Sequence, residues 1–166
     1  MSSPIFTWWR SLIHKNVTKP MMTRFFSSIV VRVDRPCLML TRGKFSPTGF
    51  ITGWPIVNIT TTGAKTAQPR TTPLVGIPDG QKIVLIASNF GKSQYPAWYY
   101  NLKKKPVATI HHKGMTTDYR AMEVSGIEWQ KYWQMALETY PGYRDYSERA
   151  GRSIPIMILE PIENNQ

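Results

Sequence analysis

Strand-forming segments follow one another in adjacent pairs along this chain, and short turn sequences join them. Two segments rich in β-branched residues, 71–77 and 82–88, flank the tight-turn sequence Pro78-Asp79-Gly80 and predict a hairpin. A second hairpin is predicted for residues 107–111 and 115–124. Because hairpins pair their strands antiparallel, this clustering favours an α+β fold with an antiparallel sheet or barrel over a doubly wound parallel sheet.

The remaining segments give the order helical arm, strands, helix, strands, helices and final strand. Further strands are predicted for residues 55–60 and 154–159, and helices for residues 95–105, 128–139 and 143–150. Residues 61–69 read as a polar turn, and residues 41–54, rich in Gly, Pro, Thr and Ser, predict an irregular connection.

The first 45 residues differ from the rest in pattern and charge. Apolar side chains at positions 5, 8, 9, 12 and 13 repeat as on one face of an amphipathic helix, and Pro20 begins a second helical pattern. Residues 1–50 carry eight basic side chains and one acidic one, whereas the remaining 116 residues carry 13 and 9. We therefore predict an N-terminal amphipathic helical arm over residues 1–45 and a separate domain over residues 46–166.

Two roles stay open for this arm. Its helices either pack against the domain or lie on a membrane surface. Trp8 and Trp9, with Arg10 and Lys15 beside them, have the composition of a helix at a membrane interface. The net charge of +11 also admits nucleic acid or an acidic small molecule as partner. The concentration of charge on an apolar-striped arm, without a base-stacking platform, argues against nucleic acid.

Composition limits the compartment and the chemistry. No run of 18 apolar residues predicts a transmembrane helix, and no continuous apolar segment predicts a signal peptide, so we expect a cytoplasmic protein, with peripheral membrane placement open. Cys37 is the single cysteine and the three histidines lack ligand spacing, so we expect neither disulfide nor metal site. The sequence leaves the oligomeric state open.

Two loop segments carry side chains suited to binding. Residues 60–70 place three consecutive threonines, Gly63, Lys65 and Arg70 in a turn between strands. Backbone N–H groups of such a turn, together with the two cations, suit an anion, although a solvated hairpin turn has the same composition. Ser88 ends an apolar strand just before Asn89, which indicates either a ligand contact or an ordinary turn cap.

Two aromatic segments are candidates for the walls of a pocket. Residues 96–102 hold Trp98 and Asn101 at a helix start, which suits either core packing or a polar ligand. Tyr140, Tyr143 and Tyr146 fall within an arc of ~120° if the segment is helical. Three phenols on one arc can wall a site for an aromatic substrate, or they can simply present their hydroxyls to water along an amphipathic helix.

Taken in chain order, these segments resemble the deazaflavin-dependent nitroreductase family over about residues 55–160. The matching motifs are Thr-Thr-Thr-Gly-x-Lys-Thr-x-Gln-Pro-Arg at 60–70, Ala-Ser at 87–88, Pro-x-Trp-Tyr-x-Asn-Leu at 96–102, Tyr-Pro-x-Tyr-x-x-Tyr at 140–146 and Ile-Pro-Ile at 154–156. The resemblance implies a split β-barrel of the FMN-binding type with flanking helices. It also implies an enzyme that passes a hydride from reduced coenzyme F420, a deazaflavin with a phosphate and an oligoglutamate tail, to a quinone, nitro compound or similar acceptor.

The same resemblance implies a site. The cofactor-binding positions are Lys65, Thr66, Pro69, Arg70 and Pro73 for the phosphate and tail, and Ser88, Asn89, Trp98 and Asn101 for the deazaflavin; the catalytic positions are Ser88, Tyr140, Tyr143 and Tyr146. Ala64, Ala67 and Asn89 depart from residues common in the family, namely Arg, Gly and Lys, which bears on cofactor affinity. FMN in the same fold, or a non-catalytic binding protein of that fold, are the alternatives.

Overall fold

A computed structural model describes residues 30–41, 44–112 and 114–162 of the chain. The helices predicted for the arm within residues 1–29 lie outside these residues. Seven antiparallel strands form one sheet in the order β2-β1-β5-β6-β7-β4-β3. The strands are β1 (Ile56–Thr62), β2 (Pro69–Val75), β3 (Ile77–Asp79), β4 (Lys82–Ile86), β5 (Val107–His112), β6 (Met115–Val124) and β7 (Ile156–Pro161). The predicted antiparallel α+β class is confirmed.

The helices flank this sheet. A π-helical turn (Val30–Asp34) leads into α1 (Arg35–Leu40); α2 spans Pro47–Thr52, α3 Ala97–Lys104, α4 Gly126–Thr139 and α5 Tyr143–Ala150, and a 3-10 turn covers Asn89–Gly91. Among the described residues, no helix has the length and apolarity that crossing a bilayer requires.

The sheet is buried on both faces, which explains the nearly continuous apolar runs of its central strands. Along β7, Ile156 and Ile158 pack into one hydrophobic cluster, whereas Met157 and Leu159 pack into the other. β4 alternates between the two clusters in the same way. Successive side chains of a strand point to opposite faces, so α3 covers one face and α4 and α5 cover the other.

The predicted hairpin between residues 71–77 and 82–88 is wrong in its pairing. The first segment breaks at Gly76: β2 pairs with β1, and only the three-residue β3 pairs with β4. A Cβ atom at Gly76 would lie 2.7 Å from a methyl of Val57 in β1 and 3.0 Å from one of Ile83 in β4. Glycine therefore lets β1 and β4 approach where the sheet curls into a half-barrel.

The predicted irregular connection over residues 41–54 contains α2. Ser46 caps this helix by accepting a hydrogen bond from the Gly49 amide at 2.9 Å. The buried Asp34 carboxylate accepts hydrogen bonds from the Ser46 hydroxyl at 2.8 Å and the Thr48 amide at 3.0 Å. This contact crosses the boundary predicted at residue 45, and the division into two regions stays a prediction.

Candidate functional site

A pocket of about 330 Å³ lies where the curled sheet brings β2 and β4 together. Four strands separate β2 from β4 in the sheet order, yet Leu74 and Val75 of β2 share this pocket with Leu85 and Ile86 of β4. Apolar and aromatic side chains form most of the wall, as is usual for sites that take flat organic ligands.

Three tyrosines form one side of the pocket. Tyr143 and Tyr146 lie on α5, whereas Tyr140 precedes that helix in an extended conformation at the end of α4. The predicted helical arc therefore applies to two of the three side chains. Their ring centroids are nevertheless 5.3–6.2 Å apart, all edge-on or tilted, and the Tyr140 hydroxyl donates to the Tyr146 hydroxyl at 3.3 Å.

Burial keeps these phenols protonated. Desolvation raises the pKa of Tyr140 and of Tyr143 well above the usual value for a phenol, and the neighbouring Tyr146 adds to both shifts. The hydroxyls of Tyr140 and Tyr143 are therefore proton donors in hydrogen bonds throughout the physiological pH range.

Ser88 adds a further hydroxyl to the pocket wall. It follows β4, is 7% exposed and lines the pocket. Among the described residues its hydroxyl has no hydrogen-bond partner, although its backbone carbonyl accepts from the Gly91 amide at 3.0 Å. A buried hydroxyl without a protein partner at a pocket wall is available to a ligand.

Of the cations predicted to bind an anion, Lys65 lies in the turn between β1 and β2, and Arg70 lies at the start of β2 beside it. Lys65, Thr66 and Arg70 are exposed there, and the Arg70 guanidinium lies 3.4 Å from the Thr66 hydroxyl. The turn closes through the Gly63 amide, which donates to the Gln68 carbonyl at 2.8 Å. Both cationic side chains are thus open to solvent on a closed turn.

Helix α3 supports this turn through hydrogen bonds of two of its side chains. The buried Asn101 side chain accepts from the Ala64 amide at 2.8 Å and donates to the Thr61 hydroxyl at 2.9 Å. One turn later Lys104 donates to the Ala64 carbonyl at 2.7 Å. Asn101, predicted to line the cofactor groove, contacts the turn and is not among the residues that line the pocket.

The same two elements connect the turn to the pocket. β2 begins at the turn and reaches the pocket at Thr72, two residues beyond Arg70, which corresponds to roughly 7 Å along a strand. α3 runs the opposite way, since Trp98 lines the pocket and Asn101 holds the turn. A ligand with a flat ring in the pocket can therefore extend an anionic chain along β2 and α3.

The structure thus divides the predicted site residues into two groups. Seven line the pocket, namely Pro73, Ser88, Asn89, Trp98, Tyr140, Tyr143 and Tyr146. The other five, Lys65, Thr66, Pro69, Arg70 and Asn101, belong to the turn or its support.

Sequence reasoning missed several pocket residues. Thr48 of α2, Trp54 after it, and Phe90 and Tyr95 between β4 and α3 all line the cavity. The first two lie in the segment predicted to be irregular. For Phe90 and Tyr95 the position next to Ser88 was the available signal, because residues after a strand end commonly face the same site.

The comparisons with known proteins agree with this geometry. The family described as F420H(2)-dependent quinone reductase matches residues 31–161. An F420H(2)-dependent quinone reductase of Mycobacterium tuberculosis (strain ATCC 25618 / H37Rv) is 34% identical over 108 residues, which cover 63% of this chain and 72% of that relative.

Two solved structures are similar in fold and sequence. One, of an F420-H2 dependent reductase (FDR-A), is 36% identical with a TM-score of 0.59 and covers 64% of this chain and 94% of its own. Another, described as a domain-swapped dimer, is 33% identical with a TM-score of 0.61 and covers 76% and 94%. The predicted split β-barrel with flanking helices is confirmed.

Proposed function

Because this chain belongs to the F420H(2)-dependent quinone reductase family, we propose that its pocket is the place where a hydride passes from reduced coenzyme F420 to a quinone. The family membership confirms the predicted enzyme class and cofactor. The observation that carries the placement is the connection along β2 and α3 from an aromatic pocket lined by Ser88 and the three tyrosines to an exposed basic turn.

The residues present fit the coenzyme. The pocket of about 330 Å³ offers apolar walls for a flat ring, and Ser88 in its wall has a hydroxyl without a protein partner among the described residues. Lys65 and Arg70 supply exposed cations for the phosphate and the glutamate tail. Arg suits a phosphate because its planar guanidinium donates two parallel hydrogen bonds.

The protein's part in the reaction is orientation and electrostatics. When bound, reduced F420 supplies the hydride. The tyrosine rings hold the acceptor and exclude water, while a hydroxyl of Ser88 or of one tyrosine donates a hydrogen bond to the acceptor oxygen on which negative charge develops. A preorganised donor of this kind is worth roughly 2.7–4 kcal/mol in the transition state.

Titration of the pure protein with oxidised F420 and, separately, with FMN tests the proposal. Trp98 lines the pocket, so quenching of tryptophan fluorescence reports occupancy. We expect F420 to bind more tightly and with greater dependence on salt, since FMN lacks the glutamate tail. Tighter binding of FMN would show that FMN, not F420, is the cofactor. F420 binding without turnover of any quinone would show that the protein is a non-catalytic binder of the same fold.

Arg70→Ala examines the turn separately. A lost charge-assisted hydrogen bond to the phosphate weakens F420 binding by about 1.5–3 kcal/mol. Arg144→Ala is the matched control, because Arg144 is an exposed arginine on α5 outside both the pocket and the turn. Equal F420 affinity in folded Arg70→Ala and wild-type protein would contradict the phosphate site.

The proposal extends to nitroaromatic acceptors and to the cell membrane. A nitroaromatic is flat and also develops charge on oxygen, so the same walls and hydroxyls suit it. Quinones are carried in lipid, and the arm combines Trp8 and Trp9 with Arg10 and Lys15, which supports a cytoplasmic protein bound peripherally to the membrane. Turnover with a menaquinone analogue and with a nitroaromatic, in the presence and absence of anionic vesicles, compares these acceptors directly.

A further inference from the structure

The loop that carries Ser88 has an unusual backbone. Asn89, Phe90 and Gly91 follow one another with φ of 47°, 57° and 76°. Left-handed conformations cost a residue with a side chain roughly 1–2 kcal/mol, and Phe90 lacks the short polar side chain that helps Asn adopt them. Such a run persists only where the surrounding structure holds it.

Arg152, which follows α5, holds this loop. Its Nε donates to the Ser93 carbonyl at 2.7 Å, and its Nη2 lies 3.1 Å from the carbonyls of both Lys92 and Gln94. Nη2 also reaches the Ala87 carbonyl at 3.4 Å, while Nη1 donates to the Ser153 carbonyl at 3.1 Å. One guanidinium therefore gathers carbonyl groups from both ends of the loop.

The same side chain supports the pocket wall. Its guanidinium carbon lies 4.1 Å from the ring centroid of Tyr95, a stacking distance, and Tyr95 lines the pocket. Next to Arg152, the Pro155 carbonyl accepts from the Ala87 amide at 2.9 Å. The segment after α5 thus fixes the residue before Ser88 and the aromatic side chain beyond the loop.

We propose that Arg152 is a positioning residue for the reductase reaction. This assignment rests on the proposed function: Arg152 fixes the place where the Ser88 hydroxyl meets the acceptor. Because no described residue bonds that hydroxyl, its position depends on the backbone on either side, which Arg152 holds. Lysine keeps the charge but lacks the planar fork needed to reach several carbonyls at once.

Arg152→Lys and the control Arg144→Lys test this assignment. Both are arginines near the end of the chain, but Arg144 is exposed and away from the pocket. We expect Arg152→Lys to lower kcat for a quinone by roughly tenfold to a hundredfold, as small misplacements of reacting groups do. The dissociation constant for F420 should stay near that of Arg144→Lys, and the melting temperature should fall only modestly, because lysine keeps the charge but loses part of the carbonyl contacts.

A double-mutant cycle with Ser88→Ala separates positioning from a structural role. If Arg152 acts through Ser88, the kcat effect of Arg152→Lys shrinks strongly once Ser88 is alanine. The proposal is overturned if the kcat effects of Arg152→Lys and Ser88→Ala multiply in the double variant. It is also overturned if Ser88→Ala alone leaves kcat unchanged. A loss of F420 affinity and melting temperature that matches the loss of kcat overturns it as well.

Folding failure and failure of the proposed function have distinct signatures. Arg152→Gln, which retains two donors, is the second variant if Arg152→Lys does not fold. Should neither fold, Arg152 is a folding residue and the proposal is overturned. Wild-type protein that neither binds F420 nor reduces a quinone contradicts the proposed function, whereas an active wild type with an equally active Arg152→Lys contradicts this inference alone.

Discussion

Ala67 adopts a backbone conformation that suits glycine better. Its φ is 55° in the turn between β1 and β2, where its amide donates to the Gly63 carbonyl at 2.8 Å. Glycine would be favoured at this position, since a Cβ atom in the left-handed region is strained.

We expect Ala67→Gly to stabilise the protein. Relief of roughly 1–2 kcal/mol of left-handed strain exceeds the roughly 0.5–1 kcal/mol of added unfolded-state entropy, leaving a gain of about 0.5–1 kcal/mol. Denaturant unfolding measures this difference. Ala64→Gly is the control: its φ is not positive, so the substitution should lower the free energy of unfolding. Equal changes in both variants would contradict the explanation.

Tyr143→Phe removes a hydroxyl from the pocket while keeping the ring. If Tyr143 donates to the acceptor oxygen, turnover falls by roughly a hundredfold or more and F420 affinity hardly changes. Stopped-flow oxidation of reduced F420 by a menaquinone analogue measures the step. Full activity in Tyr140→Phe, Tyr143→Phe, Tyr146→Phe and Ser88→Ala would exclude hydroxyl donation and leave an orienting pocket.

The pH profile of kcat provides a second measure of the same phenols. Burial raises the pKa of Tyr140 and Tyr143, so each loses its proton only above the usual phenol value of about 10. The donor form is therefore complete below that value and is lost only at higher pH. We expect no alkaline fall in kcat between pH 7 and about 10; a fall centred near pH 8 that Tyr143→Phe abolishes would contradict this.

At the scale of elements, local patterns predicted most segments, and long-range packing decided the exceptions. Turn sequences and β-branched runs located β4, β5 and β6 to within a few residues. The break between β2 and β3 falls at Gly76, where β1 and β4 converge, and no local signal records that convergence. α2 was missed because its cap is completed by Asp34, which is distant in sequence.

The candidate site was predictable to a similar degree. Motif order identified Ser88 and the tyrosines, which do line one pocket. Motif order did not indicate that the Asn101 amide hydrogen-bonds to the turn between β1 and β2, a contact that depends on how α3 packs beneath that turn. Arg152 had no sequence signal, since its role depends on five carbonyl groups that only the fold assembles.

Asn101 joins α3 to the turn between β1 and β2, so Asn101→Ala should lower both the stability of the protein and its affinity for F420. The change removes two hydrogen bonds and leaves the Ala64 amide without its partner, at about 1–3 kcal/mol of stability. F420 affinity should fall as well, because Lys65 and Arg70 lose a fixed turn. Thermal unfolding and F420 titration measure the two effects, with exposed Lys103→Ala on the same helix as the control. Unchanged F420 affinity would show that the rigidity of the turn does not contribute to cofactor binding.

For the whole molecule, the half-barrel depends on more than the predicted domain 46–166. Leu38 of α1 is 1% exposed, and Asp34 is fully buried against the start of α2. Thr48 and Trp54, which follow, line the pocket. Residues 30–41 therefore support the pocket, whereas the basic amphipathic pattern that suggests membrane binding lies mainly in residues 1–29.

Two truncations separate these contributions. Removal of residues 2–40 takes away Leu38 and the Asp34 contacts; loss of one buried leucine side chain alone costs about 2–5 kcal/mol. We expect this variant to unfold or to melt far below wild type. Removal of residues 2–29 should leave F420 binding intact and abolish sedimentation with anionic vesicles, because it takes away Trp8, Trp9 and the basic residues beside them. Neutral vesicles are the control for charge. If full-length protein does not sediment with anionic vesicles, the arm has no membrane role. If the variant lacking residues 2–29 does not fold, the arm packs against the rest of the protein.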